Sequence, residues 1–232
     1  MNLILLIAAA LLLSYLAGSI PFGWIIVKIA TGKDVTRVES GRTGGTNAMR
    51  AAGLGAGLLT GFFDVMKGVP TAWIVSWLVP GLPWVRVAAG LMAVMGHNHS
   101  IFLIDRDPVT NHIKLRGGAG GATVLGGAIA LWPSTWYIVL PLSAAVFLFG
   151  GYASLTTISV AFFSIVIFGY RAWIHQSPWE YAMYGVISLV VVLWALRPNL
   201  KRLREGTERR VRGLWIYFLK KAPKKITTNK GY

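Results

Sequence analysis

Long apolar runs separated by short polar ones set the pattern of this chain of 232 residues. A bilayer core takes about 20 apolar residues per helix, with a range of roughly 17 to 25. Seven runs read as spans: residues 3–30, 55–79, 84–104, 119–132, 135–150, 154–171 and 179–196. The first opens LILLIAAALLLSYLAG. It is too long for a secretory signal and no basic region precedes it, so it reads as a retained helix, kinked at Pro21. Trp132-Pro133-Ser134 divides the fourth span from the fifth, because proline breaks a helix interior and tryptophan favours the membrane surface. The expected fold class is an all-α integral membrane protein with seven transmembrane helices. Residues 1–200 form one membrane domain, and residues 201–232 a basic tail.

Composition agrees with that class. Hydrophobic residues make up 55%, mean hydropathy is +0.59 and only 13% of residues are charged. An ordinary soluble domain has about 25% charged residues. There is no cysteine, so neither disulfides nor thiolate metal sites are available. The four histidines show no HExxH spacing, and no metal or cofactor is expected.

The net charge of +15 is unevenly placed. Residues 197–232 hold twelve of the 23 Lys and Arg. The loop 31–54 has Lys33, Arg37, Arg42 and Arg50, and the loop 105–118 has Arg106, Lys114 and Arg116. The opposite side has only Arg86 and Arg171, nineteen basic residues against two. The positive-inside rule then puts the N-terminus outside and the C-terminus in the cytoplasm. The tail reads as an anchor against anionic lipid, with LWIYFLKK as an interfacial helix. No nucleic-acid recognition module accompanies the charge, so nucleic acid is not an expected partner.

Both informative loops fall on the cytoplasmic side. One contains SGRTGGTNAMR, residues 40–50, and the other GHNHSIFLIDRDPVTNHIKLRGGAGGAT, residues 96–123. Glycines let backbone N–H groups approach a ligand closely, and successive N–H groups form a cradle for anions. A helix starting just after such a loop adds its positive end, and arginine forks onto phosphate. Neither loop is a Walker P-loop. The expectation is a phosphate site at the membrane surface, with SGRTGGTN itself outside any core helix or strand. Asp64 and Lys67, three apart in the second span, share a helix face. They mark either a functional interior or a self-neutralising pair. His97 is a candidate general base or a loop-orienting group. Asp105 and Asp107 read as part of a solvated insert.

Taken together, SGRTGGTNAMRAAG, FFDVMKG, GHNHSIFL, RGGAGGAT, YASLTTIS and PNLKRLREGTE resemble, in that order, the bacterial acyl-phosphate:glycerol-3-phosphate acyltransferases. The resemblance covers residues 1 to about 209. It implies a seven-helix enzyme of the inner membrane that moves a fatty acyl group from acyl phosphate to the sn-1 hydroxyl of glycerol 3-phosphate. The products are lysophosphatidic acid and phosphate, in phospholipid synthesis, without metal or cofactor. Acyl phosphate, glycerol 3-phosphate and membrane lipid are the implied partners.

Carried over by position, the resemblance implies catalytic roles for Ser40, Asn47, Arg50 and His97. It implies substrate contacts for Gly41, Gly44, Thr46, Lys67, Arg116, Gly117, Gly118, Gly120, Gly121, Ser154 and Asn199. The chain departs from the pattern at Ala119, where the family has a phosphate-binding lysine, and at Leu196 and Pro198, where it has a histidine and a glutamate. Arg42 and Gly45 are smaller departures. Arg116 and Lys114 stand just before the missing lysine. The alternative reading is a non-catalytic or altered-substrate paralogue that binds a phosphorylated lipid precursor. No convincing internal repeat supports a transporter.

Overall fold

A computed structural model describes residues 2–106 and 111–211. The helices are α1 (Leu3–Ser19), α2 (Phe22–Thr31), α3 (Gly45–Ala52), α4 (Leu54–Met66), α5 (Pro70–Leu78), α6 (Pro83–Asn98), α7 (Gly121–Leu131), α8 (Trp136–Gly150), α9 (Ala153–Trp173), α10 (Glu180–Ala195) and α11 (Arg197–Arg204). Strands β1 (Ile104–Arg106) and β2 (Ile113–Leu115) pair antiparallel. Among the described residues, four stretches are long and apolar enough to cross a bilayer: Leu3–Thr31, Leu54–Leu78, Pro133–Gly150 and Ala153–Trp173. The α10–α11 pair, bent by 67°, makes a fifth if taken as one span. The interfacial helix expected beyond residue 211 lies outside the described residues, as does Asp107.

Several expected spans differ in detail. The first is two helices, broken at Ile20-Pro21 as the proline suggests. The second is also two, because Pro70 at the start of α5 has no N–H to continue the ladder. Thr71 Oγ1 donates to the Gly68 carbonyl at that break, at 2.8 Å. Lys67 Nζ and Ser100 Oγ donate to the carbonyls of Ile20 and Ser19 at the first break. In a membrane, freed backbone groups must find such partners inside the protein. The third span stops at Asn98 rather than 104, and Ile104–Arg106 and Ile113–Leu115, on either side of the solvated insert, pair as β1 and β2. The stretch SGRTGGTN is not wholly irregular either. Its last three residues begin α3, and Asn47 and Ala48 are buried.

Small residues bring the helices together. A β-carbon on Gly18 of α1 would lie 2.1 Å from the Ala93 carbonyl of α6, and one on Gly126 of α7 only 2.0 Å from the Val65 carbonyl of α4. Such close backbone approach is the usual basis of helix association in lipid. The main apolar cluster joins α6, α7, α9 and α10 through Val94, Val124, Phe168, Tyr184 and Val192. A second joins α1, α5 and α6, and a third, of Val27, Val35 and Ala48, fixes α3 and the preceding loop against α2. Outward-facing apolar side chains, among them Trp77, Phe149 and Phe162, fit a lipid surround.

Candidate active site

One end of the bundle gathers the polar loops. It holds the C-terminal ends of α6 and α10 and the N-terminal ends of α7 and α9. The Thr43 N–H donates to the Gly117 carbonyl at 3.2 Å, so the two glycine-containing loops touch through their backbones.

The first loop is built around Asn47. Its Nδ2 faces three carbonyls, of Val35 at 3.1 Å, Val38 at 3.0 Å and Arg42 at 2.8 Å. That assigns the amide orientation, since only a nitrogen can donate to carbonyls. Asp34 caps the turn by accepting from the Thr36 N–H and hydroxyl. Gly41 takes a left-handed φ of +64°. Arg42 Nη2 then reaches across to the Ala195 carbonyl at the end of α10. Burial lowers the Arg42 pKa and nearby Arg202 lowers it further, while Glu208 opposes both. The guanidinium stays charged throughout any working pH.

The second loop folds over His97. The Gly118 N–H donates to the His97 carbonyl at 2.9 Å. A β-carbon on Gly117 would lie 2.3 Å from that carbonyl, and one on Gly118 would lie 2.0 Å from His97 Nε2. Gly120, at φ +92°, starts α7 and supplies no side-chain cap. Gly120 and Gly121 are buried. A buried helix N-terminus without a cap leaves N–H groups in need of an acceptor. Thr157 of α9 lies against Gly121, which brings the start of α9 to the same place.

Beneath these loops, Asp64 Oδ1 lies 2.9 Å from Lys67 Nζ and 3.5 Å from His97 Nδ1. All three are nearly fully buried. With Nδ1 facing a carboxylate, the other nitrogen, Nε2, is the one left toward Gly118. Lys67 is thus committed to Asp64 and to the break in the first span.

The segment after α10 closes the end of the bundle. Asn199 Nδ2 donates to Glu208 Oε1 at 2.8 Å, and Arg202 Nε to Glu208 Oε2 at 3.2 Å. Arg209 pairs with Glu39 of the first loop. Arg210 Nε donates to the Tyr152 hydroxyl at 3.0 Å.

Among the described residues, several buried polar atoms of this end have no partner: Arg42 Nη1, Asn47 Oδ1, both side-chain polar atoms of Asn98, Ser154 Oγ and Asn199 Oδ1. Native interiors rarely leave such atoms unpaired, so their concentration indicates where a polar ligand goes. Arg42 Nη1, the Asn98 amide nitrogen and the uncapped start of α7 offer donors that suit an anion, while the amide oxygens of Asn47, Asn98 and Asn199 suit hydroxyl groups.

A family model for glycerol-3-phosphate acyltransferase matches residues 8–206. The chain belongs to that family. A glycerol-3-phosphate acyltransferase of Thermus thermophilus is 37% identical over 201 residues, 87% of this chain and 93% of the relative. One from Rubrobacter xylanophilus is 39% identical over 202 residues, 87% and 94% of the two chains. A crystal structure of PlsY, an integral membrane glycerol 3-phosphate acyltransferase, in its glycerol 3-phosphate form superposes with a TM-score of 0.75. That pair is 30% identical, covering 91% of this chain and 98% of the other. The lysophosphatidic acid form of the same enzyme matches with a TM-score of 0.72.

In this acyltransferase-family chain the residues singled out from sequence are differently disposed. His97, Gly118, Gly120, Gly121 and Ser154 are buried within the polar end. Gly41, Gly44, Thr46, Arg116, Gly117 and Asn199 are partly exposed, and Ser40 and Arg50 are exposed. Asn47 uses its amide nitrogen on its own loop, leaving only Oδ1 for a ligand. Leu196 is 2% exposed in the apolar cluster and Pro198 stands in the first turn of α11, so these departures are absorbed by packing and helix initiation. Sequence reading missed Asn98, although it lies between two histidines at a helix end. Asp105 keeps part of the solvent exposure expected of it, but the sequence did not show that it accepts from Arg116 at 2.7 Å and 3.0 Å.

Proposed function

We propose that this chain transfers a fatty acyl group from acyl phosphate to the sn-1 hydroxyl of glycerol 3-phosphate, releasing lysophosphatidic acid and phosphate. It does so as a seven-span protein of the bacterial inner membrane, N-terminus outside and C-terminus inside, with the site on the cytoplasmic face. The carrying observation is the meeting of two glycine loops over an uncapped buried helix start, surrounded by unpartnered polar atoms. The clustering of Arg42, Arg116 and Arg202 at that end, opposite Arg171 and its ring partner Trp132, agrees with the charge-based orientation.

Acyl phosphate is a mixed anhydride, so its carbonyl is already activated. The protein has to place the glycerol hydroxyl against that carbonyl and neutralise two phosphates. Arg50 is assigned to a substrate phosphate, with Ser40 as a hydrogen-bond partner to the substrate. The Gly118 N–H is engaged by the His97 carbonyl, so the N–H groups of residues 119–121 and the start of α7 receive the other phosphate. Asn47 Oδ1 accepts from a substrate hydroxyl, because its N–H groups are already engaged. His97 Nε2, oriented by Asp64 through Nδ1, stands under the glycine loop as an acceptor for the hydroxyl proton. A phosphate oxygen of the substrate is the second acceptor available. As the hydroxyl oxygen bonds to the acyl carbon, the carbonyl carbon–phosphate oxygen bond breaks and phosphate leaves. The acyl tail lies between helices toward lipid.

Purified protein given both substrates should release phosphate and lysophosphatidic acid, and Arg50→Ala should lose most of that rate. No turnover by a well-folded wild type would reject the enzyme reading. Ala119 favours a second reading, a binding paralogue, which would hold glycerol 3-phosphate without turnover.

A further inference from the structure

Residue 119 is an alanine, partly buried against the main apolar cluster, so the glycine loop carries no charge of its own. The nearest cation in sequence is Arg116, immediately before Gly117. It follows the β1–β2 hairpin, where the Arg116 N–H extends the ladder to the Leu103 carbonyl at 2.8 Å. Asp105 lies opposite Lys114 in the register, which makes Arg116 its diagonal neighbour on the same face.

Asp105 Oδ2 accepts from Arg116 Nη2 at 2.7 Å and from Nε at 3.0 Å. Those two donors form one edge of the guanidinium. The third nitrogen, Nη1, points elsewhere: it is 3.6 Å from where a β-carbon of Gly41 would be, on the first loop. Lys114 is exposed and, among the described residues, has no such tether. A planar fork held on one edge presents its other donors in a fixed direction.

We propose that Asp105 is a positioning residue for substrate phosphate. By holding the Nε/Nη2 edge of Arg116, it turns Nη1 toward Gly41 and supplies at the meeting of the two loops the cation that position 119 lacks. This rests on the reading that these loops hold phosphorylated substrates. Asp105 is a carboxylate close to an anion site, and only its pairing with Arg116 makes it tolerable there. The pairing leaves one strong donor direction open, at the seam between the loops.

The test uses the full chain in detergent or nanodiscs. Binding of glycerol 3-phosphate and of a non-hydrolysable acyl phosphonate is measured by calorimetry, beside steady-state KM and kcat. Asp105→Ala should weaken one phosphorylated ligand about tenfold, the value of one charge-assisted bond, with kcat within about twofold. Arg116→Ala should weaken it at least as much. The Asp105→Ala/Arg116→Ala double variant should be no worse than Arg116→Ala alone. Asp105→Glu should recover most of the loss, and Ala119→Lys should restore affinity in the Asp105→Ala background. Unchanged affinity in Asp105→Ala overturns the proposal, as do penalties that multiply in the double variant. A loss that follows a lowered unfolding temperature and is not rescued by Ala119→Lys also overturns it. A wild type that binds both ligands without turnover would remove the acyl-transfer reading, yet the same binding comparison would still decide on Asp105. A wild type that binds neither ligand overturns both.

Discussion

His97 and Gly118 approach so closely that a β-carbon on Gly118 would lie 2.0 Å from His97 Nε2. The loop therefore uses the histidine ring as its floor, and the ring depends on the missing side chain for its position. Gly118→Ala should displace one or the other. We expect roughly 1–3 kcal/mol of destabilisation from overpacking and a loss of kcat larger than that stability change explains. Thermal unfolding in detergent and single-turnover kinetics on the folded fraction check this. Wild-type turnover in Gly118→Ala would refute the placement of Nε2.

Asp64 and Lys67 are buried together, and Lys67 also donates to the Ile20 carbonyl. Asp64→Leu leaves an uncompensated ammonium and should cost about 3–5 kcal/mol. The double change Asp64→Leu/Lys67→Met should recover much of that, short of the 1–3 kcal/mol or so for the orphaned carbonyl. Chemical unfolding of both variants gives the comparison. Since the double variant also removes the group facing His97 Nδ1, it should recover stability without recovering turnover.

Glu208 holds Asn199 and Arg202 and faces Arg42. Glu208→Gln leaves the two guanidinium groups without their shared counter-charge. The segment 207–211 should loosen from the first loop, and trypsin should cut after Arg209 or Arg210 several-fold faster than in wild type. Cleavage at the wild-type rate would mean that the segment is held by other contacts.

The hydrogen bonds from Arg116 hold the Asp105 pKa below its ordinary value, helped by a backbone bond from Arg106 and by nearby Arg37. Because the folded value is the lower one, the pairing contributes fully above the unfolded value of about 3.9 and is lost as pH falls through the folded value. The hairpin should therefore be insensitive to pH from neutral down to about 5. A carboxyl titration followed by NMR, assigned with Asp105→Asn, should have its midpoint below about 3.9. A midpoint above that would contradict the bidentate pairing.

Much of the fold was legible because membrane helices announce themselves in one dimension. The breaks at Pro21 and at Trp132-Pro133 were readable from proline chemistry alone. The break before Pro70 follows the same rule, but the uninterrupted apolar run around it hid it. Helix α3 was missed because a glycine-rich stretch has poor helix propensity, and tertiary contact overrides that: Ala48 packs with Val27 and Val35. The identity of the site's residue types was visible as well, since glycines beside arginines suit phosphate wherever they occur. What could not be read was which of their atoms are already used. Asn47 looked like a ligand donor, yet its nitrogen is spent on three carbonyls of its own loop. Asp105 looked solvated, and its bond to Arg116 depends on a hairpin register that no local pattern announces.

By itself the sequence determined the apolar segments, the loops in which basic residues collect and the family to which the motifs belong. These depend on composition and order along the chain. The tertiary structure alone decided that Thr43 meets Gly117, that Asp64 faces both Lys67 and His97, and that Asp105 pairs with Arg116. Each of these joins residues from different elements. Directional hydrogen bonds and close backbone contacts between them exist only once the helices have packed.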